Sequence, residues 1–281
     1  ARNPLFVELG GPPEEVADVW NQSIPGPGGE LPIRIYTPQG SGEFPVLVYF
    51  HGGGWVIGNL DTHDCLCRAL ANAASCIVVA VDYRLSPENK FPAPLEDGYA
   101  ATRWVAEHAG EIQGDSTRIA VGGDSAGGNM ATAVCLMARE KGGPSLTHQL
   151  LIYPAVDLFS MDTASYRDHG EGYLLTAAGM FYYRNHYLPN REDGKNPYAS
   201  PLLEKDLTDL PPATVVIPRL DVLADEGTAY AERLKEAGVP VTCLTYDQMI
   251  HAFLNCLGEV EMARKAVSEM GALLKKAFDR S

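Results

Sequence analysis

The sequence predicts an α/β protein, with a mostly parallel sheet of eight strands and helices on both faces. Three observations carry this. Short uninterrupted apolar runs recur along the 281 residues. Segments with apolar residues at helical spacing lie between them. Two glycine-rich loops, His51–Trp55 and Gly123–Gly128, directly follow apolar runs. Uninterrupted apolar runs suit strands buried on both faces, and strand–helix alternation suits parallel crossover connections.

In chain order, Glu15–Ser23 and Leu31–Thr37 are two early strand candidates. The turn signal Ile24-Pro25-Gly26-Pro27-Gly28-Gly29 joins them, so they are expected to form an antiparallel hairpin at a sheet edge. The remaining strand candidates are Val46–Phe50, Ile77–Val81, Ile119–Val121, Leu150–Tyr153, Thr214–Ile217 and Val241–Tyr246. Helices are expected over Thr62–Ala73, Leu95–His108, Ala126–Arg139, Glu226–Ala237 and Met262–Phe278. In the fourth, Gly238 and Pro240 supply the stop; in the last, Ala266, Met270, Leu273, Leu274 and Phe278 recur at helical spacing. Two segments, 1–14 and 158–200, do not fit the alternation. The second holds Tyr166, Tyr173, Tyr182, Tyr183, Tyr187 and Tyr198, nearly half of the 13 tyrosines. Both are expected to form a cap on one catalytic domain spanning 1–281, because ligand sites in such sheets lie at the carboxyl ends of strands. A stabilising excursion is the competing reading for 158–200.

Composition narrows the function. Hydrophobic residues make up 46% and charged residues 21%, which excludes a disordered, collagenous or coiled-coil chain. The net charge of −14 opposes phosphate backbones and anionic lipid, so neither nucleic acid nor a membrane is an expected partner. No run of 18 apolar residues appears, and no signal peptide is recognised. Six scattered cysteines without a C-x-x-C pair read as reduced thiols, hence an expected cytoplasmic location. The sequence begins at Ala1 rather than Met, which leaves open a longer native N-terminus.

The strongest chemical signal is Gly123-Asp124-Ser125-Ala126-Gly127, a G-x-S-x-G between a strand and a helix. That is the context of a nucleophile elbow, whose tight turn needs small neighbours. Ser125 is the expected nucleophile. His51-Gly52-Gly53-Gly54-Trp55 follows a buried strand, and the N–H groups of Gly53, Gly54 and Ala126 are the expected oxyanion donors. A phosphate loop fits poorly, because neither G-x-G-x-x-G nor a following Lys-Ser/Thr is present. His51 is expected to fix the loop rather than act as base.

Serine needs an oriented base. Among seven histidines, His251 follows the last strand candidate across Asp247–Ile250, on the edge that carries Ser125. The orienting acid is expected after Thr214–Ile217. Asp221 is chosen there, with Asp225 as the alternative and as the expected N-cap of the next helix. Trp55, Leu223, Ile250 and Tyr183 are candidates for the substrate pocket, with the core as the competing place for each. Arg84 and Glu88 are expected to form a buried ion pair, and Arg191–Lys195 a solvated loop.

These motifs together resemble the hormone-sensitive-lipase-like branch of α/β-hydrolase carboxylesterases. The oxyanion motif and the elbow through Asn129 match it. Asp82-Tyr83-Arg84-Leu85-Ser86-Pro87-Glu88 resembles its Y-R-L-x-P-E stretch, Asp221-Val222-Leu223-Ala224-Asp225-Glu226 its D-P-L-x-D-E, and His251-Ala252-Phe253 its H-G-F. Val222 and Ala252 depart from the usual Pro and Gly, and Arg219 occupies a place that is often small. The N-terminal cap segment is short for the family. The resemblance implies an α/β-hydrolase fold and two-step acyl transfer by Ser125, His251 and Asp221 on a small ester of short to medium acyl chain. It implies no metal or organic cofactor. It also implies possible homodimers through the edge strand Val241–Tyr246. An amidase or deacetylase with the same triad is the rival within enzymes. A catalytically silent ligand-binding relative is the rival outside them, set back by the presence of all three triad residues.

Overall fold

The computed structural model describes residues 4–279. Eight strands form one sheet: β1 (Asp18–Gly26), β2 (Gly29–Thr37), β3 (Phe44–Phe50), β4 (Ile77–Val81), β5 (Gly114–Asp124), β6 (His148–Ile152), β7 (Ala213–Leu220) and β8 (Val241–Ile250). Their order is β1-β2-β4-β3-β5-β6-β7-β8. The β1–β2 and β2–β4 pairs are antiparallel and the rest are parallel. Residues 1–3 of the first expected cap segment lie outside the described residues.

The helices are α1 (Pro4–Leu9), α2 (Asp64–Ala74), α3 (Ala93–His108), α4 (Ala126–Lys141), α5 (Ala164–Asp168), α6 (Ala177–Tyr187), α7 (Ala224–Glu236) and α8 (Glu261–Phe278). Successive strand residues face opposite ways, so each strand feeds two cores. Val46 and Val48 of β3 pack in the layer that holds Leu95 of α3, Met130 and Val134 of α4, and Leu234 of α7. Leu47 and Tyr49 pack with Leu66 and Leu70 of α2 and Met270 and Leu274 of α8. Removing one such side chain, as in Leu70→Ala, costs about 2–5 kcal/mol because a close-packed interior collapses only partly around the void.

The structure shifts several expected boundaries. β1 starts later and runs to Gly26, because Ile24 is buried opposite Leu31 and extends the ladder. Pro25 is tolerated there since β1 is an edge strand, where a missing N–H costs no ladder bond. Asp247–Ile250, expected as a loop, continues β8 past a register shift between Pro218 and Leu220 of β7. β8 is the other edge and is not sealed on both faces: Thr242, Thr245, Asp247 and Gln248 are exposed. Arg191–Lys195 is a short 3-10 helix closed by an Asn190–Asp193 capping box, not an irregular loop. Arg84 pairs with Asp97 of α3, Nε to Oδ2 at 2.8 Å, while Glu88 is exposed. The Arg84 backbone N–H also reaches that carboxylate, at 2.9 Å, a geometry open to the buried Asp97 and not to Glu88.

Candidate active site

Ser125 stands between the end of β5 and the start of α4 with φ 56° and ψ −116°. A non-glycine residue in such a region costs on the order of 1–3 kcal/mol and persists only where its surroundings hold it. Here the Ser125 N–H donates to Ile152 O at 2.8 Å, and Ser125 O accepts from Asn129 and Ala155 N–H at 3.1 and 3.3 Å. The turn also demands close approach: a Cβ on Gly127 would lie 1.9 Å from Phe50 O.

His251 follows β8, and its Nε2 lies 2.9 Å from Ser125 Oγ. Its Nδ1 lies 2.6 Å from Asp221 Oδ2, and Asp221 Oδ1 accepts the Leu223 N–H at 3.0 Å. The carboxylate therefore fixes Nδ1 as the N–H nitrogen and leaves the Nε2 lone pair facing the serine. The Tyr153 ring rests against the imidazole at 4.7 Å between centroids. Asp225, the weighed alternative, is turned elsewhere: its Oδ2 accepts the Ser165 N–H at 2.8 Å. The N-cap position of α7 is Leu223, so Asp225 sits inside the first turn, where its charge favours the helix dipole.

The glycine loop follows β3. Gly53 and Gly54 have φ of 121° and 58°, in the left-handed region. A Cβ on Gly54 would lie 2.3 Å from the Tyr183 ring, so only glycine fits under that tyrosine. The N–H groups of Gly53, Gly54 and Ala126 have no partner among the turn, loop and cap bonds of the described residues. For Ala126 that follows from its place at the head of α4, where helix N–H groups lack internal acceptors. His51 is buried and its imidazole is pushed down to about 4, chiefly by burial and further by nearby His63. It is therefore neutral, and its Nδ1 donates to Gly52 O at 2.8 Å.

The cleft above Ser125 is bordered by Phe6 of α1, by Ile57 and Gly58, and by Leu174, Leu175, Met180 and Tyr183. Trp55 also borders it, buried and stacked on Tyr187 at 4.3 Å. Leu223 and Ile250 do not border the cleft. Leu223 is in the core, and Ile250 pairs with Leu220 at the end of the extended β8. The sequence reading passed over Thr62 and His63, which border the cleft within twelve residues of His51. It also passed over Met180, which lies inside the aromatic-rich segment but carries no signal of its own. Glu226 of α7 is a further buried carboxyl. It accepts the Val156 N–H at 2.7 Å, and burial pushes it well above the ordinary carboxylate range.

Residues 47–255 match the family model described as the alpha/beta hydrolase fold. The chain belongs to the hormone-sensitive-lipase-like α/β hydrolases. Carboxylic ester hydrolase LipN of Mycobacterium tuberculosis is 45% identical over 86% of this chain, which spans 66% of LipN, just under two thirds. Arylesterase of Saccharolobus solfataricus is 41% identical over 89% of this chain and 80% of its own length. Among solved α/β hydrolases, the ester-hydrolase EH1AB1 from the metagenome of Lake Arreo superposes with a TM-score of 0.95. It is 44% identical and is matched over 98% of this chain and 88% of its own. The esterase of Pyrobaculum calidifontis gives 0.93 at 42% identity, over 97% and 89%.

Proposed function

We propose that this chain is a carboxylic ester hydrolase that cleaves small esters of short to medium acyl chain through an acyl-enzyme on Ser125. One observation carries the reading: the unbroken hydrogen-bonded chain Ser125–His251–Asp221 at the floor of an apolar cleft. The family and the esterase names of its relatives support it.

His251 Nε2 takes the Ser125 proton as Oγ attacks the ester carbonyl. The Gly53, Gly54 and Ala126 N–H groups receive the charge that builds on the carbonyl oxygen. His251 then hands the proton to the departing alkoxide, and an alcohol leaves. A water, deprotonated by His251, attacks the acyl-enzyme; the acid departs and Ser125 regains its proton. Asp221 holds the imidazole in the required tautomer and stabilises the imidazolium between steps. Leu174, Leu175 and Met180 offer an apolar wall for an acyl or alcohol chain, and the aromatic-rich segment 158–200 acts as the cap. Trp55 and Tyr183 are the predicted pocket residues retained in this reading.

Six free thiols, three of them buried, fit a reducing compartment, and we place the enzyme in the cytoplasm. Among the described residues no helix is long and apolar enough to cross a membrane. The partly exposed edge strand β8 is the proposed contact of a homodimer. The test of the activity is hydrolysis of p-nitrophenyl acetate through octanoate by wild type and Ser125→Ala. The variant is expected to lose on the order of 10⁶-fold in kcat, as for removal of a nucleophile from such a triad. Retained activity overturns the assignment.

A further inference from the structure

A second Asp–His pair lies beside the nucleophile. Asp124, the residue before Ser125, is buried. Its Oδ1 accepts the Gly52 N–H at 2.9 Å and the Tyr49 hydroxyl at 2.8 Å. His63 Nε2 lies 3.2 Å from Oδ1 and 3.3 Å from Oδ2. Both residues border the same cleft as Ser125.

We propose that Asp124 and His63 are positioning residues of the oxyanion loop, holding the Gly53 and Gly54 N–H groups on the developing charge. This rests on the acyl-transfer reading above. Gly52 is pinned at both ends. Its N–H is held by Asp124, and its carbonyl oxygen accepts from His51 Nδ1 at 2.8 Å. In a trans peptide the C=O and the next N–H point in opposite directions. Fixing Gly52 O therefore fixes the direction of the Gly53 N–H. Asp124 in turn joins the loop to the elbow, so the two sources of oxyanion donors share one anchor.

His63 secures that anchor and is not a spare base. His63 Nδ1 meets Thr62 Oγ1 at 2.9 Å, and Thr62 Oγ1 is itself tied to Asn59 O at 2.8 Å. Nε2 is occupied by Asp124. The Gly52 N–H also passes 3.4 Å from Nε2, but the shorter bond to Asp124 claims its hydrogen. The groups facing His63 are Asp124 from β5, Tyr49 of β3 and His51 after it, with ring centroids at 6.4 and 5.5 Å, and Thr62 on its own loop. Burial pushes the Asp124 carboxyl up, yet His63 and the Tyr49 hydroxyl together hold it below its ordinary value. It stays an anion, and an ionised acceptor binds an N–H more strongly than a neutral one.

The test is steady-state kinetics and inhibition by an aryl trifluoromethyl ketone, which forms a tetrahedral adduct on Ser125. The proteins are wild type, Asp124→Asn, His63→Gln and Thr62→Val. A misaimed donor weakens the transition state and not the ground state. For Asp124→Asn and His63→Gln, kcat is expected to fall about 10- to 100-fold, below the full loss of a donor, with KM within about threefold. Ketone affinity falls by the same factor as kcat/KM. Thr62→Val gives a smaller loss of the same kind. A folded His63→Gln with wild-type kcat and ketone affinity overturns the proposal, as does a rise in KM at unchanged kcat. Should Asp124→Asn not fold, His63→Gln alone decides. Ser125→Ala separates the two claims. If it stays active, the acyl-transfer reading fails. If it is dead while His63→Gln matches wild type, only the positioning role fails.

Discussion

Two buried Asp–His pairs sit within one cleft, and they differ in what their second nitrogen does. In Asp221–His251 the carboxylate takes Nδ1 at 2.6 Å and Nε2 is left facing Ser125 Oγ. In Asp124–His63 both nitrogens are spoken for, one by Asp124 and one by Thr62. The first pair can pass a proton; the second can only hold a shape. Residue type and burial are alike in the two. The hydroxyl on the second nitrogen separates them: Ser125 Oγ faces the cleft, whereas Thr62 Oγ1 is already tied to Asn59 O.

That difference predicts unequal losses for equivalent substitutions. Asp221→Asn should lower kcat by about 10⁴-fold, because the amide stabilises the wrong imidazole tautomer. Asp124→Asn should stay within the smaller loss given above. Ester hydrolysis by both variants, side by side, checks this; equal losses would erase the distinction.

Histidines buried without a carboxylate supply the contrast. Burial lowers His148, on β6, from its ordinary 6.5 to about 4. Between those values the unfolded chain binds a proton that the folded chain refuses. Stability is therefore fully present above about pH 6.5, falls as the pH drops towards 4, and changes no further below. The full span is about 3 kcal/mol. Urea unfolding at pH 7 and pH 4.5 measures it. His148→Gln should lose about 2–3 kcal/mol less than wild type over that interval. An identical pH dependence in the two proteins would refute the assignment.

The smallest effect concerns Ala252, beside His251. Its φ is 59°, in the left-handed region that glycine adopts without strain. Ala252→Gly relieves about 1–2 kcal/mol of strain but loosens the unfolded chain, for a net gain of about 0.5–1 kcal/mol. The melting temperature should rise with kcat within about twofold of wild type; a fall would show that the Ala252 methyl contributes packing worth more than the strain.

Ser125, Asp221 and His251 were legible because each follows a strand candidate, and parallel strands deliver their carboxyl ends to one edge. The sheet was legible for the same reason: apolar runs flanked by helical periodicity leave few arrangements. Strand ends were not. Whether Asp247–Ile250 is loop or strand depends on the register shift opposite Pro218, and this moved Ile250 away from the cleft. Arg84 chose Asp97 over the nearer Glu88 because the packing of α3, not sequence distance, brings a carboxylate to both its side chain and its N–H. His63 was passed over because its meaning is a contact with Asp124, 61 residues away. Leu174, Leu175 and Met180, which border the cleft, lie in a segment with no strand or long-helix period from which to place them.

The most direct test of the central claim is covalent. Wild-type protein treated with a fluorophosphonate is expected to gain one adduct per chain, mapped to Ser125 by peptide mass spectrometry, with activity lost in step. The Ser125→Ala variant should gain none. An adduct on another residue, or full activity remaining after Ser125 is labelled, would contradict the account.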